Sequence, residues 1–138
     1  LDSPKIFEET VRRTLAISEA FELNKLHPGI ILPLYFTIAQ GYMKLGNSEK
    51  VLEILEQYTQ LATSNIYPLN FHGDEYFDLL DCWLESTLTL GSDMPRNAMM
   101  IKKSVAESII NCKVFDPLKD DIHFQNIIKR LKNLEENC

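Results

Sequence analysis

Residues 34–63, LYFTIAQGYMKLGNSEKVLEILEQYTQLAT, limit the fold more than any other part of this chain. Tyr35, Ile38, Ala39 and Tyr42 recur at intervals of three and four, which puts them on one face of a helix. Gly46 then interrupts the pattern, and Val51, Leu55 and Tyr58 form the inner face of a second helix. The small Ala39 lets the two helices approach closely, while Tyr35 and Tyr42 fill the space on either side of that contact. Such a hairpin cannot bury its apolar face alone and requires neighbours stacked on it. The pattern therefore predicts a surface that holds something, not a closed reaction chamber.

The flanking sequence supplies those neighbours. Ser3 as N-cap and Pro4 at the first helical position open a helix to about Leu26, with Phe7, Val11, Leu15, Ser18 and Phe21 along one stripe. His27-Pro28-Gly29 is expected to stop it. The hairpin then runs from about Ile31 to Leu45 and from Ser48 to about Thr63, with Pro33 in the first turn, where a missing N–H costs little. After a connector over 65–73, a helix from Asp74 to about Leu90 carries Phe77, Leu80, Leu84 and Leu88, widened by Cys82 and Trp83. Arg96 to about Asn111 follows, with Ile101, Val105 and Ile109 in register. Phe115-Asp116-Pro117-Leu118 makes a tight corner, and Asp121 to about Leu134 ends the pattern with Phe124, Ile127, Ile128 and Leu131 inward. No segment sustains a period of two between turn signals. The expected class is all-α, a single domain over 1–138 of paired antiparallel helices stacked as a short solenoid.

Composition narrows the function. A chain of 138 residues buries roughly 70% of its unfolded surface. Lys and Arg number 14 against 20 Asp and Glu, a net charge of −6, and no run of basic residues gathers on one face. Bulk electrostatics therefore opposes a grip on nucleic acid or an anionic membrane. Cys82, Cys112 and Cys138 are odd in number and lack metal-ligand spacing, which reads as free thiols in a reducing, cytoplasmic setting. No apolar run approaches the ~18 residues of a membrane span, and no secretory leader pattern is present. The chain opens at Leu1 rather than Met, so it reads as one domain of a longer protein.

The 34–63 hairpin resembles a tetratricopeptide repeat: a large aromatic, a small residue four on, an aromatic three further, a Gly turn, then apolar anchors. The block SNIYPLNFHGDEYFDLLD, with Phe115-Asp116-Pro117-Leu118, Phe124-Gln125 and Ile128-Lys129-Arg130-Leu131 at the end, looks like the C-terminal tetratricopeptide region of bacterial helix-turn-helix regulators of the Xre/Cro-repressor type. The resemblance covers nearly the whole chain. It implies tetratricopeptide-like hairpins stacked as a short right-handed α-α superhelix, in the sensing or dimerising half of a transcription regulator. Nothing in the chain matches a recognition helix, so DNA contact would fall to an absent N-terminal domain. The family includes peptide-sensing members, although this chain has about two and a half helical pairs, fewer than those receptors carry.

Candidate sites follow from the hairpin. Its first helix would line the concave groove with Pro33, Phe36, Gln40, Met43 and Lys44. A clamp for a terminal carboxylate needs several converging cationic or amide donors, and only Gln40 and Lys44 qualify. Phe36 and Met43 suit an apolar peptide or a partner helix, or simple packing on a neighbouring helix. His72, Asp74, Glu75, Asp78 and Asp81 form the densest group of possible metal ligands, but acids at a helix start are what capping and the dipole favour, and zinc would need more His or Cys within reach. No metal and no cofactor is expected. His27 and His123 are isolated and read as loop or surface residues. No nucleophile elbow, phosphate loop or dinucleotide fingerprint occurs.

Three readings remain open from sequence. The first is the regulatory domain of a bacterial transcriptional regulator, binding a peptide or protein effector and forming a homodimer through Ile6, Ile17, Ala20 and Leu23, which lie off the main stripe of the first helix. The second is a generic tetratricopeptide scaffold unrelated to transcription. The third, more distant, is a catalytic helical domain.

Overall fold

The computed structural model describes residues 3–66 and 98–136, and every regular element among them is helical. The helices are α1 (Pro4–Ala20), α2 (Leu23–Leu26), α3 (Pro28–Lys44), α4 (Ser48–Ala62), α5 (Ala98–Ile110) and α6 (Ile122–Glu136), with a 3₁₀ turn over Lys113–Leu118. The expected helix over 74–90 and the acidic group around Asp74 lie outside the described residues.

Two boundaries differ from the sequence expectation, each for a backbone reason. The first helix does not run to Leu26. Glu22 takes φ of 48°, in the left-handed region, and its N–H returns to the Glu19 carbonyl, so α1 ends and the four-residue α2 begins in a new direction. That conformation costs a non-glycine residue about 1 kcal/mol. The break also swings Phe21 out of the core stripe, where it is 49% exposed. Next, a helix does end at Leu26, before His27-Pro28-Gly29, but Pro28 also starts α3 as its first residue, ahead of the expected Ile31, where no N–H is needed. Pro33 consequently stands in the second turn, and the Gly29 carbonyl loses the amide it would have received from residue 33.

The turn after α3 is better specified. Gly46 has φ of 73°; its N–H bonds the Met43 carbonyl, and the Asn47 N–H bonds the Tyr42 carbonyl, both at 3.1 Å. This pair closes the helix end and requires a left-handed residue at position 46. The Asn47 side chain then accepts from the Lys50 N–H at 3.2 Å and caps α4. With only three residues between them, α3 and α4 fold back on each other and share the most extensive interhelical contact. Asp121 performs the same capping for α6, accepting from the His123 N–H at 2.8 Å. In the 3₁₀ turn, three residues per turn align Phe115 with Leu118, and both are buried.

The core is one cluster. Ala39, Val51 and Leu55 are fully buried between α3 and α4, joined by Ile38 and Tyr42, while Tyr35 is half-buried. α5 pairs with α6, and α4 meets both. Val105, Ile109, Ile127 and Leu131 continue the same core through that second pair. Arg130 of α6 donates to Glu56 of α4 at 2.8 Å across the junction, on a partly exposed edge.

α1 docks on α3 through a contact absent from the sequence expectation. Phe7 meets Tyr42 edge-on, with centroids 5.1 Å apart and planes at 83°, and the Tyr42 hydroxyl donates to Glu8 at 2.8 Å. Burial and the adjacent Glu8 carboxylate push the Tyr42 phenol up to about 12. Below the Phe7 ring lies Gly41, where a Cβ would overlap ring atoms Cζ and Cε2. A glycine inside a helix costs about 1 kcal/mol in propensity, and here the missing side chain is what lets α1 settle on α3.

Candidate functional site

The helical packing leaves a cleft of about 320 Å³ where α3, α4 and α5 converge. Gly29, Leu32, Pro33 and Phe36 line it from α3, Tyr58 from α4, and Ser104, Val105 and Ser108 from α5. α3 presents every third or fourth residue there, so one stripe of a single helix forms a whole wall. Leu32, Val105 and Phe36 make that surface apolar, as small-ligand and side-chain pockets generally are.

The polar groups at the cleft are already organised. The Tyr58 hydroxyl donates to the Val105 carbonyl at 2.8 Å, tying α4 to α5, and burial pushes the phenol up to about 12. It therefore acts as a fixed donor at any physiological pH. The Ser108 hydroxyl donates to the Ser104 carbonyl at 2.8 Å. Gly29 also lines the wall, and its carbonyl receives no amide from Pro33. This arrangement can hold an apolar group, with the Tyr58 and Ser108 hydroxyl protons already committed to backbone carbonyls. It pairs no hydroxyl with a base.

The structure divides the groove residues expected from sequence. Pro33 and Phe36 line the cleft. Gln40 and Met43 are half-buried further along α3 and Lys44 is exposed in its last turn, and none of the three reaches the cleft. Phe36 also meets the buried Phe115 edge-on, with centroids 6.1 Å apart, so the 3₁₀ turn packs beside it. Tyr58 was expected on the inner face of the hairpin; it reaches beyond the hairpin to α5. Ser104, Val105 and Ser108 were not foreseen as site residues, and their only sequence signal is small hydroxyls four apart beside an apolar stripe.

Of the residues expected at a dimer interface, Ile6 and Ile17 are 56% and 58% exposed, and Ala20 is exposed as well. Leu23 is half-buried in α2. Phe21 joins the exposed set one turn beyond Ile17. His123 is exposed, whereas His27 is half-buried where α2 gives way to α3. Cys112 carries a free thiol. Among the described residues no group of three or more metal-ligating side chains converges, and no helix is long and apolar enough to cross a membrane. No family model, curated protein or solved structure matches this chain.

Proposed function

We propose that this chain is a partner-binding, non-catalytic regulatory domain of a bacterial transcription regulator, built of tetratricopeptide-like hairpins stacked as a short right-handed superhelix. The α3–α5 cleft is the observation that carries the reading. It is apolar, open on one side, and walled by the first helix of the hairpin, which is the side that tetratricopeptide-like modules use for their ligands. The effector it fits is a peptide or protein segment that buries one apolar side chain against Phe36 and Val105. DNA binding belongs to a separate N-terminal segment, since a net charge of −6 opposes a grip on the phosphate backbone by this domain. The exposed Ile6, Ile17 and Ala20 of α1, with Leu23 beside them, supply a two-fold interface between copies.

A pool of aromatic and aliphatic octapeptides titrated into the chain tests this, with the methyl resonances of Leu32 and Val105 as reporters. Saturable shifts that vanish in Phe36→Ala are expected. Shifts that persist in Phe36→Ala, or reporters unmoved by any peptide, refute the cleft as an effector site. An upstream reading frame without a helix-turn-helix pattern leaves a scaffold in place of a regulator.

A further inference from the structure

A second cavity, of about 430 Å³, lies between the 3₁₀ turn and α6 and shares no residue with the α3–α5 cleft. Its floor is hydrocarbon: Ile110 at the end of α5, with Phe124 and Ile128 one turn apart on α6. Its rim is cationic. Lys119, Lys129 and Lys132 surround that floor against one carboxylate, Asp116.

The chain has more acids than bases, and five of its helical cations find carboxylate partners. Arg12 and Arg13 share Glu9 and hold its carboxyl down at about 2, while Lys25 meets Glu22, Lys50 meets Glu53 and Arg130 meets Glu56. None of the three rim lysines makes an ion pair among the described residues. Lys129 and Lys132, three apart on α6, present their ammonium groups on one side of the helix. Three lysines with no ion pair among the described residues, at the mouth of an apolar cavity, attract an anion, and the floor then rewards an anion that carries an apolar tail.

We propose that this cavity is a binding site for a small amphipathic carboxylate, with an aliphatic body of about ten carbons on Ile110, Phe124 and Ile128 and its head group between Lys129 and Lys132. A small molecule fits better than a peptide. The volume lies in the range of small-ligand sites, and the walls are helical backbone whose amides are already bonded, so an extended chain finds no hydrogen-bonding edge. Asp116 sharpens the selection, because it repels a second negative charge on the ligand.

Decanoate is the probe, titrated into the full chain while the methyl resonances of Ile110 and Ile128 are followed. These should shift saturably while those of Leu32 and Val105 stay in place. Decanol should bind about tenfold more weakly, and Lys129→Glu/Lys132→Glu should weaken decanoate about tenfold without affecting decanol. Lys129→Gln/Lys132→Gln, which only neutralises the pair, should fall between, and both variants should keep the parent's helical circular dichroism because the lysines are exposed. Decanoate and decanol binding equally, shifts at Leu32 and Val105 instead, or an acidic amphipathic peptide displacing decanoate at far lower concentration would each overturn the proposal. An unmoved Ile128 at saturating decanoate does so as well.

Discussion

Gly41→Ala isolates the contact that seats α1 on the rest of the molecule, and two opposed effects decide its sign. Alanine inside α3 should gain about 1 kcal/mol of helix propensity over glycine. Its Cβ, however, would occupy the space of Cζ and Cε2 of Phe7, so the ring must leave its position. Leaving breaks the edge-on contact with Tyr42 at 5.1 Å, worth about 0.5–1.5 kcal/mol, and forcing an extra carbon into a packed site costs about 1–3 kcal/mol in all. The steric effect wins, with a net destabilisation on the order of 1 kcal/mol. In a Phe7→Ala background the obstructing ring atoms are gone, and the same substitution should stabilise by about 1 kcal/mol. The sign reversal corresponds to a coupling of about 2 kcal/mol between positions 7 and 41, far above the roughly 0.5 kcal/mol scatter of independent sites. Urea unfolding of the four proteins followed by far-ultraviolet circular dichroism measures it. Additive effects, or stabilisation by Gly41→Ala in both backgrounds, refute the account of how α1 docks.

Other consequences are equally direct. Ala39 is fully buried between α3 and α4, so Ala39→Leu should overpack the hairpin and lower stability by about 1–3 kcal/mol in the same urea assay; an unchanged midpoint would contradict the close helix approach. Tyr58 holds its proton more tightly folded, at about 12, than at its ordinary 10, so its contribution is complete below pH 10 and is lost as pH rises from 10 towards 12. That loss is on the order of 2 kcal/mol for so buried a phenol; Tyr58→Phe should flatten the alkaline fall in stability, and an identical pH profile counts against it. Light scattering at tens of micromolar should give a mass above the 15.9 kDa of one chain, and Ile17→Glu should return it to one chain. A mass of 15.9 kDa for the parent at every concentration removes α1 as an interface.

The periodicity of the chain determined the inward faces of most described helices, because a helix repeats every 3.6 residues whatever it packs against. Ala39, Val51, Leu55, Val105, Ile109, Phe124, Ile127 and Leu131 are all buried as their spacing requires. Gly46 was legible for a local reason as well: only a residue at ease with positive φ closes that helix end. Glu22 takes the same backbone region with no glycine to announce it, so the break between α1 and α2 went unread. There the packing of α2 on α3 outweighs a local preference of about 1 kcal/mol. Pro28 both follows the end of α2 and begins α3, and proline looks the same in sequence in either role. Partnership between helices lay further out of reach. Gly41 reads only as a weak spot in a helix until the Phe7 ring is found above it, 34 residues away in sequence. The cleft's Tyr58–Val105 hydrogen bond and the lysine-rimmed cavity likewise join elements through space. Periodicity fixes which face of a helix turns inward, but only the tertiary fold decides what that face meets.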